Sequence, residues 1–480
     1  MISAVSPIRW TFLSAIISAS AMAVQLVVVS RFLSASQLGI AAIAMMILGF
    51  ASVIADFGVN KVLIKEQDDL APGFRTLLYS IELGLGFIVW ILVWMSSPAL
   101  AHYYAAPELA SLLRHGSIAL LITPIGHQFY FLISRDLLFR KLAIIEIVSS
   151  IAGLAIAIFA AILNEGAYAI VWGWAGNILV RYLLIAFVGW RQYPLARRWK
   201  VQGSLPHLKF GFYATVENII SYVSTNIDYL IVGYFLGPEQ LGYYALAYQV
   251  ATFAPQKIAP ILTRVAFPMF AKQQADASVL RAGYLNFSQL AIVLTLPLLA
   301  GLLITASLLV QVVFGTAWDQ SIPLIQLLTI VGIGKMVIIP VVPLLLAKGR
   351  ADLAFASGLL FTLVTFIVFL FVVGTGLKAV AGSFAVISCC YAVYMLALVR
   401  WLIKLDLPSY FLSIKAPFVA TFWMSIAAYL MVAQTMISIA SAGRLLAAVL
   451  IGGIAYAVYI VIADRRIALN IQNLLRGRSD

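Results

Sequence analysis

The feature that most constrains this sequence is a series of apolar runs, each about 20 residues long and nearly free of charge. A helix of that length crosses about 30 Å of hydrocarbon, whereas strands of a membrane barrel would alternate apolar and polar residues over about ten positions. The composition agrees, because 63% of the residues are hydrophobic and only 10% are charged. The sequence therefore predicts an all-α polytopic membrane protein.

The apolar runs predict fourteen transmembrane helices joined by short loops. The predicted spans are residues 10–33, 38–64, 76–100, 115–134, 142–163, 168–189, 210–236, 241–268, 285–312, 322–346, 353–374, 379–402, 416–437 and 444–463. The longest polar connection covers residues 190–209. None of the loops has room for a soluble catalytic domain, so we expect the protein not to be an enzyme.

Lysine and arginine concentrate in alternate loops. If the N-terminus is cytoplasmic, the outer loops hold only Arg114, Lys378 and Arg444, with Arg31 at a membrane edge. The tendency of basic residues to stay inside therefore predicts that both termini are cytoplasmic. This asymmetry also accounts for most of the net charge of +13. The positive charge thus indicates topology, and we expect no nucleic-acid partner.

An internal duplication organises the spans. Residues 32–39, FLSASQLG, align without a gap with residues 235–242, FLGPEQLG, at an offset of 203 residues. Because an even number of spans separates the two copies, they have the same orientation, as parallel repeats do. The sequence thus predicts two pseudo-symmetric six-helix lobes, at residues 1–200 and 201–410. Two appended helices and a basic cytoplasmic tail follow at residues 411–480.

Basic residues within or beside the spans are candidates for a binding site, because charge is costly in a membrane and marks function. Lys61 and Arg264 occupy equivalent repeat positions, and Lys257 lies two helical turns from Arg264 on the same face. Lys335 lies near mid-span, beside glycines and prolines that favour a broken helix lining a cavity. Such cations suit a diphosphate, although Lys61 and Arg264 can also extend to the inner headgroups. The full candidate set is Lys61, Lys257, Arg264, Lys335, Arg31 and Arg181.

Acidic and aromatic residues in the spans suggest two further roles. Asp56, Glu217 and Asp228 are candidates for binding a coupling H⁺ or Na⁺, with a structural ion pair or a helix cap as the alternative. Tyr222 and Tyr229 are candidates for stacking on sugar rings, with helix packing as the alternative. The four histidines lack metal-ligand spacing and no phosphate-binding Gly-Lys-Ser/Thr loop is present. We therefore expect no metal site, no cofactor and no ATP hydrolysis.

The two hairpin sequences and the tripeptide at residues 56–58, Asp-Phe-Gly, resemble the polysaccharide-transport branch of the multidrug/oligosaccharidyl-lipid/polysaccharide (MOP) exporter superfamily. Within that branch the sequence is most similar to the colanic-acid-type exporters. The resemblance implies a flippase in a bacterial inner membrane that moves undecaprenyl-diphosphate-linked oligosaccharides to the periplasmic leaflet by alternating access. It also implies a cavity lined by the first, second, seventh and eighth helices, and appended helices that accommodate the lipid tail. A polymerase and a chain-length regulator are the implied partners, and we expect a monomer.

Three alternatives remain open at this level. A cation-coupled multidrug exporter of the same superfamily would be expected to have an acid-dominated cavity, whereas the candidate residues here are mixed with a cationic bias. A membrane oligosaccharide polymerase or glycosyltransferase would need a sizeable outer loop with catalytic side chains. A flippase for the simpler peptidoglycan precursor is compatible with the composition.

Overall fold

The computed structural model describes residues 5–59, 72–196, 199, 205–433 and 440–463. These residues form helices and turns without a strand, which confirms the all-α fold. The long helices are α1 (Val5–Ser30), α2 (Ala35–Ala55), α3 (Pro72–Tyr103), α4 (Glu108–Arg135), α5 (Phe139–Ile162), α6 (Tyr168–Gln192), α7 (Leu205–Phe235), α8 (Gly237–Gln273), α9 (Ala277–Leu309), α10 (Ser321–Ile338, resuming as Val341–Ala347), α11 (Ala351–Val372), α12 (Leu377–Ile403), α13 (Leu407–Ala433) and α14 (Ser441–Ala463).

Among the residues that the structure describes, twelve helices are long and apolar enough to cross a membrane. The protein is therefore a multi-pass membrane protein. The other two, α7 and α8, are 31 and 37 residues long and coincide with the predicted seventh and eighth spans. They fall outside the twelve because polar and charged side chains interrupt their apolar sequence. The total of fourteen spans stays a prediction.

The chain divides into two compact units, Met1–Gly242 and Tyr243–Asp480, so α8 begins in the first unit and continues in the second. In the first unit, Tyr79 of α3 packs on Phe129 of α4 in a buried apolar cluster. In the second unit, Tyr284 of α9 is completely buried and contacts the rings of Phe270 and Tyr410. These units are not the predicted lobes, and the lobe boundaries at residues 200 and 410 stay predictions.

The two hairpins of the duplication start their second helices differently. At α2 the side chain of Ser34 accepts a hydrogen bond from the Gln37 amide (3.2 Å), and the Gln37 side chain accepts one from the Ser34 amide (3.0 Å). This reciprocal capping box fixes the start of the helix. At α8 the equivalent of Ser34 is Gly237, whose positive φ of 79° permits a turn of a single residue after α7.

The hairpins contact each other through two glycines related by the 203-residue offset. A Cβ atom on Gly39 would lie 1.7 Å from the carbonyl oxygen of Pro238. A Cβ atom on Gly242 would lie 1.8 Å from the carbonyl oxygen of Ala35. Adding 203 to 35 and 39 gives 238 and 242, so the two contacts exchange partners under the repeat. This reciprocity supports the sequence alignment and makes the crossing of α2 and α8 a pseudo-symmetric backbone contact.

The prediction for the end of the second span was wrong. We predicted that this helix continues to residue 64, but α2 ends at Ala55 and the chain turns at Phe57 and Gly58, whose φ angles are 47° and 61°. An apolar run does not reveal such a left-handed turn, because hydropathy is insensitive to backbone conformation. Asp56 is therefore the C-cap of α2. Lys61 lies outside the described residues.

The predicted break in the tenth span is confirmed. Its first segment ends at Ile338 and the second begins at Val341, so Ile339 and Pro340 interrupt α10. Proline lacks the amide hydrogen needed by the helical ladder, which explains the position of the break. The break lies one turn beyond Lys335.

Candidate functional site

Lys335 is a half-buried cation within α10. Its Nζ donates a hydrogen bond to the Tyr248 hydroxyl (3.0 Å) and lies 5.2 Å from the centre of the Tyr248 ring and 6.0 Å from that of Phe384. Within the described part of the chain, no carboxylate lies within ion-pair distance of this amine. Lys335 therefore remains a candidate for contact with an anion.

Two glycines place Lys335 in this position. A Cβ atom on Gly332 would lie 2.9 Å from the Leu299 side chain, and one on Gly334 would lie 2.9 Å from the Ser388 carbonyl oxygen. The absence of side chains lets α10 approach α9 and α12 closely. The aromatic rings of Tyr248 and Phe384 then stabilise the amine by cation–π contact.

Lys257 and Arg264 are both exposed on α8. They are seven residues apart, about 10 Å along the helix on one face, as the spacing predicts. The amine of Lys257 lies 5.9 Å from the centre of the Phe253 ring. No acidic side chain pairs with Arg264 among the residues that the structure describes. The surface of α8 thus presents both of these candidate side chains.

The remaining candidate cations differ in their surroundings. Arg181 lies on α6 with its Nη2 3.6 Å from Oε1 of Glu146 on α5, so it belongs to an ion pair within the first unit. Arg31 is exposed in the turn after α1. The position of Lys61 is not described, so its pairing with Arg264 across the repeat stays a prediction.

The two candidate acids on α7 have opposite exposures. Glu217 is exposed, whereas Asp228 is only 2% exposed and accepts a hydrogen bond from the Tyr229 amide (3.0 Å). Tyr222 donates from its hydroxyl to the Met46 carbonyl of α2 (2.9 Å). That contact gives Tyr222 a packing role between α7 and α2. The roles of these residues in ion coupling and sugar stacking stay predictions.

The structure brings Asp56 together with two residues outside the set of candidate site residues, Glu82 of α3 and His127 of α4. One oxygen of each carboxylate and one imidazole nitrogen all lie within 4.8 Å of one another. His127 Nδ1 is hydrogen-bonded to Glu82 Oε1 and lies 3.5 Å from Asp56 Oδ1. The side chains of Glu82, His127 and Asp56 are 1%, 13% and 17% exposed.

Sequence spacing could not have found this cluster, which we call the Asp56 cluster. Its members lie 26 and 45 residues apart along the chain. Only the packing of α3 on α2 and α4 brings them together. The available signal was that Glu82 and His127 both lie inside apolar spans, where an ionisable side chain requires a partner.

Comparisons with known proteins identify the family. Residues 28–323 match the family model described as "Polysaccharide biosynthesis protein". The teichuronic acid biosynthesis protein TuaB of Bacillus subtilis is 36% identical over 390 residues, which cover 79% of this chain and 79% of TuaB. The lipopolysaccharide biosynthesis protein WzxC of Escherichia coli is 32% identical over 351 residues, covering 73% of this chain and 71% of WzxC.

The fold also matches a solved structure along nearly its whole length. The lipid II flippase MurJ, in an inward closed conformation, superposes with a TM-score of 0.77 at 15% identity, covering 97% of this chain and 100% of MurJ. That identity supports similarity of fold alone. The family match and the two relatives, TuaB and WzxC, establish that the chain belongs to the polysaccharide biosynthesis protein family.

Proposed function

We propose that this protein is a flippase that moves undecaprenyl-diphosphate-linked oligosaccharides from the cytoplasmic to the periplasmic leaflet for the synthesis of a cell-surface polysaccharide. The observation that carries the proposal is family membership with relatives named for teichuronic acid and lipopolysaccharide biosynthesis. The fold shared with a lipid II flippase agrees with it. The protein acts as a transporter, not an enzyme, in the inner membrane with both termini cytoplasmic.

The basic residues of α8 and α10 provide the chemistry for the diphosphate. Lys335 and Arg264 have no carboxylate partner among the described residues, so a phosphate oxygen would be their first strong counter-ion. Lys257 lies on the same face of α8 as Arg264. In a medium of low dielectric, each cation–phosphate contact is stronger than in water. We propose that Lys61 contributes a further positive charge near the cytoplasm.

The polyprenyl tail requires no polar site. It can remain in the surrounding lipid while the charged head crosses the protein, because α13 and α14 expose many large apolar side chains. Exposed side chains there include Phe411, Trp423, Tyr429 and Leu446. We propose that the sugar chain passes through the protein by alternating access and that a polymerase then consumes it.

The test is to measure lipid-linked oligosaccharides by mass spectrometry in cells that lack this protein, beside the secreted polysaccharide. We expect a complete diphosphate-linked repeat unit to accumulate while polymer is lost. The wild-type gene should reverse both effects, and a Lys335→Gln variant of equal abundance should not. The matched control is Lys378→Gln, which removes an exposed lysine from the first turn of α12.

Two results would contradict the flippase function, and a third would contradict only the role of Lys335. Normal polymer without accumulation in the deletion strain would exclude the flippase function and favour the drug exporter. Accumulation of an incomplete repeat unit would place the protein among the transferases. Full rescue by Lys335→Gln would leave the flippase function intact but exclude the proposed role of Lys335.

A further inference from the structure

The Asp56 cluster has the geometry of a metal site built on rigid helices. Asp56 is the C-cap of α2, whereas Glu82 and His127 lie within α3 and α4. Ligands sharing an ion with bonds of about 2.2 Å lie at most about 4.4 Å apart. The three ligand atoms here lie within 4.8 Å of one another. The three ligand atoms are therefore close enough to share one ion, once His127 Nδ1 and Glu82 Oε1 exchange their mutual hydrogen bond for bonds to that ion.

The burial of Glu82 provides a second observation that points to a ligand. Its side chain is 1% exposed, and Oε2 has no hydrogen-bond partner among the described residues, although Oε1 is bonded to His127. A buried carboxylate oxygen without a donor is costly. A cation placed between the two carboxylates would satisfy this oxygen and neutralise their charge.

The donor set selects the kind of cation. Two carboxylate oxygens and one imidazole nitrogen suit divalent transition-metal ions, above all the borderline Zn²⁺ and then the harder Mn²⁺. Alkali ions and Mg²⁺ prefer oxygen ligands alone. The rings of Phe131 and Tyr182 flank His127, with centroids 5.0 and 5.9 Å from it, and hold the plane of the imidazole. We infer that Asp56, Glu82 and His127 form a binding site for a divalent transition-metal ion, with remaining positions open to water.

Such an ion would anchor the end of α2 to its neighbours. Asp56 is followed directly by the left-handed turn at Phe57 and Gly58. A Cβ atom on Gly58 would lie 2.6 Å from the Gly211 carbonyl oxygen of α7. The turn is therefore tightly packed on α7, and a metal ion on Asp56 would fix the position of that contact. This inference does not depend on the proposed function, because binding can be measured without transport.

The first test is metal binding by the full-length protein, purified in detergent with a histidine-free tag and stripped with a chelator. Isothermal titration with ZnCl₂ and MnCl₂ should give one site, with zinc bound more tightly than manganese. Glu82→Gln should weaken zinc binding by about tenfold or more. The matched control, Glu146→Gln, removes a half-exposed acid from α5 and should leave binding unchanged. Equal zinc binding by wild type and Glu82→Gln, or displacement of zinc by excess Na⁺, would overturn the inference.

A second measurement uses the wild-type protein and so does not depend on whether a variant folds. Diethylpyrocarbonate acylates accessible imidazoles, and mass spectrometry reports each histidine separately. Zinc should slow the acylation of His127 below its rate in the metal-free protein, which is itself slow because the side chain is only 13% exposed, while the exposed His102 and His115 react equally with and without zinc. If His127 reacts at the same rate in the presence of zinc, the metal does not bind at this site.

Discussion

The reciprocal glycine contact between the two hairpins predicts a specific loss of stability. In Gly39→Ala the new methyl group would lie 1.7 Å from the Pro238 carbonyl oxygen. Carbon and oxygen atoms normally approach to about 3.3 Å. The backbones of α2 and α8 must therefore separate by about 1.6 Å, the difference of the two distances. A backbone carbonyl cannot rotate away as a flexible side chain can.

The expected cost follows from two opposing effects. Overpacking of this kind costs about 1–3 kcal/mol, and a clash between two backbones belongs at the upper end. Replacing a helical glycine by alanine returns about 1 kcal/mol of helix propensity. We therefore expect Gly39→Ala to lower the free energy of unfolding by about 2 kcal/mol. Gly242→Ala should do the same, since its Cβ would lie 1.8 Å from the Ala35 carbonyl oxygen.

The assay is equilibrium denaturation of the purified protein in mixed micelles. Gly84→Ala and Gly382→Ala are matched controls, because nothing lies within 4 Å of a Cβ atom at either position. They should not lower the free energy of unfolding. A single movement of α2 away from α8 makes room for both methyl groups. The double variant Gly39→Ala/Gly242→Ala should therefore lose less free energy of unfolding than the two single variants lose together. If Gly39→Ala is as stable as Gly84→Ala, the close contact does not exist.

Three further predictions concern single side chains. Tyr222→Phe removes the hydrogen bond to the Met46 carbonyl and should lower the free energy of unfolding by about 0.5–1.5 kcal/mol. Export should continue in this variant, and loss of export at normal stability would contradict the packing role of Tyr222. Lys335→Met should abolish export yet raise the free energy of unfolding by about 1 kcal/mol. The reason is that the cost of inserting a lysine into the membrane exceeds the gains from its cation–π contact and its hydrogen bond. A lower free energy of unfolding in the variant would refute this reasoning. Hydrogen bonds from the residues after Asp276 hold the pKa of this carboxyl below its usual value of 3.8. The Asp276 N-cap should therefore stabilise α9 at neutral pH, and this stabilisation should be lost as the pH falls through and below that value. Amide exchange of the first turn of α9 measures this, and Asp276→Asn, which retains a capping side chain, should abolish the pH dependence.

Much of the fold could be predicted because hydropathy and the duplication can both be recognised in the sequence without knowledge of tertiary packing. The hairpin alignment at an offset of 203 residues correctly related Gly39 to Gly242, and the Gly and Pro residues near Lys335 correctly predicted the break in α10. The end of α2 could not be predicted. The turn at Phe57 and Gly58 depends on positive φ angles, and the apolar sequence continues past it.

The candidate site was less predictable, because it depends on which helices pack together. The sequence suggested ion coupling for Asp56 but no link to Glu82 and His127, which reach it only through the packing of α3 and α4. The sequence also did not reveal that packing of α5 on α6 pairs Arg181 with Glu146, and the role of Arg181 toward the substrate stays a prediction. An ionisable residue in a span thus indicates that a partner is needed, but the tertiary fold decides which partner it is.

The most direct test of the flippase function is transport by the purified protein alone. The protein would be reconstituted into liposomes that contain a diphosphate-linked oligosaccharide on a polyprenyl carrier, with a membrane-impermeant glycosidase outside. We expect the protein to make the inner-leaflet pool accessible to the enzyme, and Lys335→Gln to abolish this while Lys378→Gln does not. If the wild-type protein leaves the inner pool as protected as in protein-free liposomes, the central claim is contradicted.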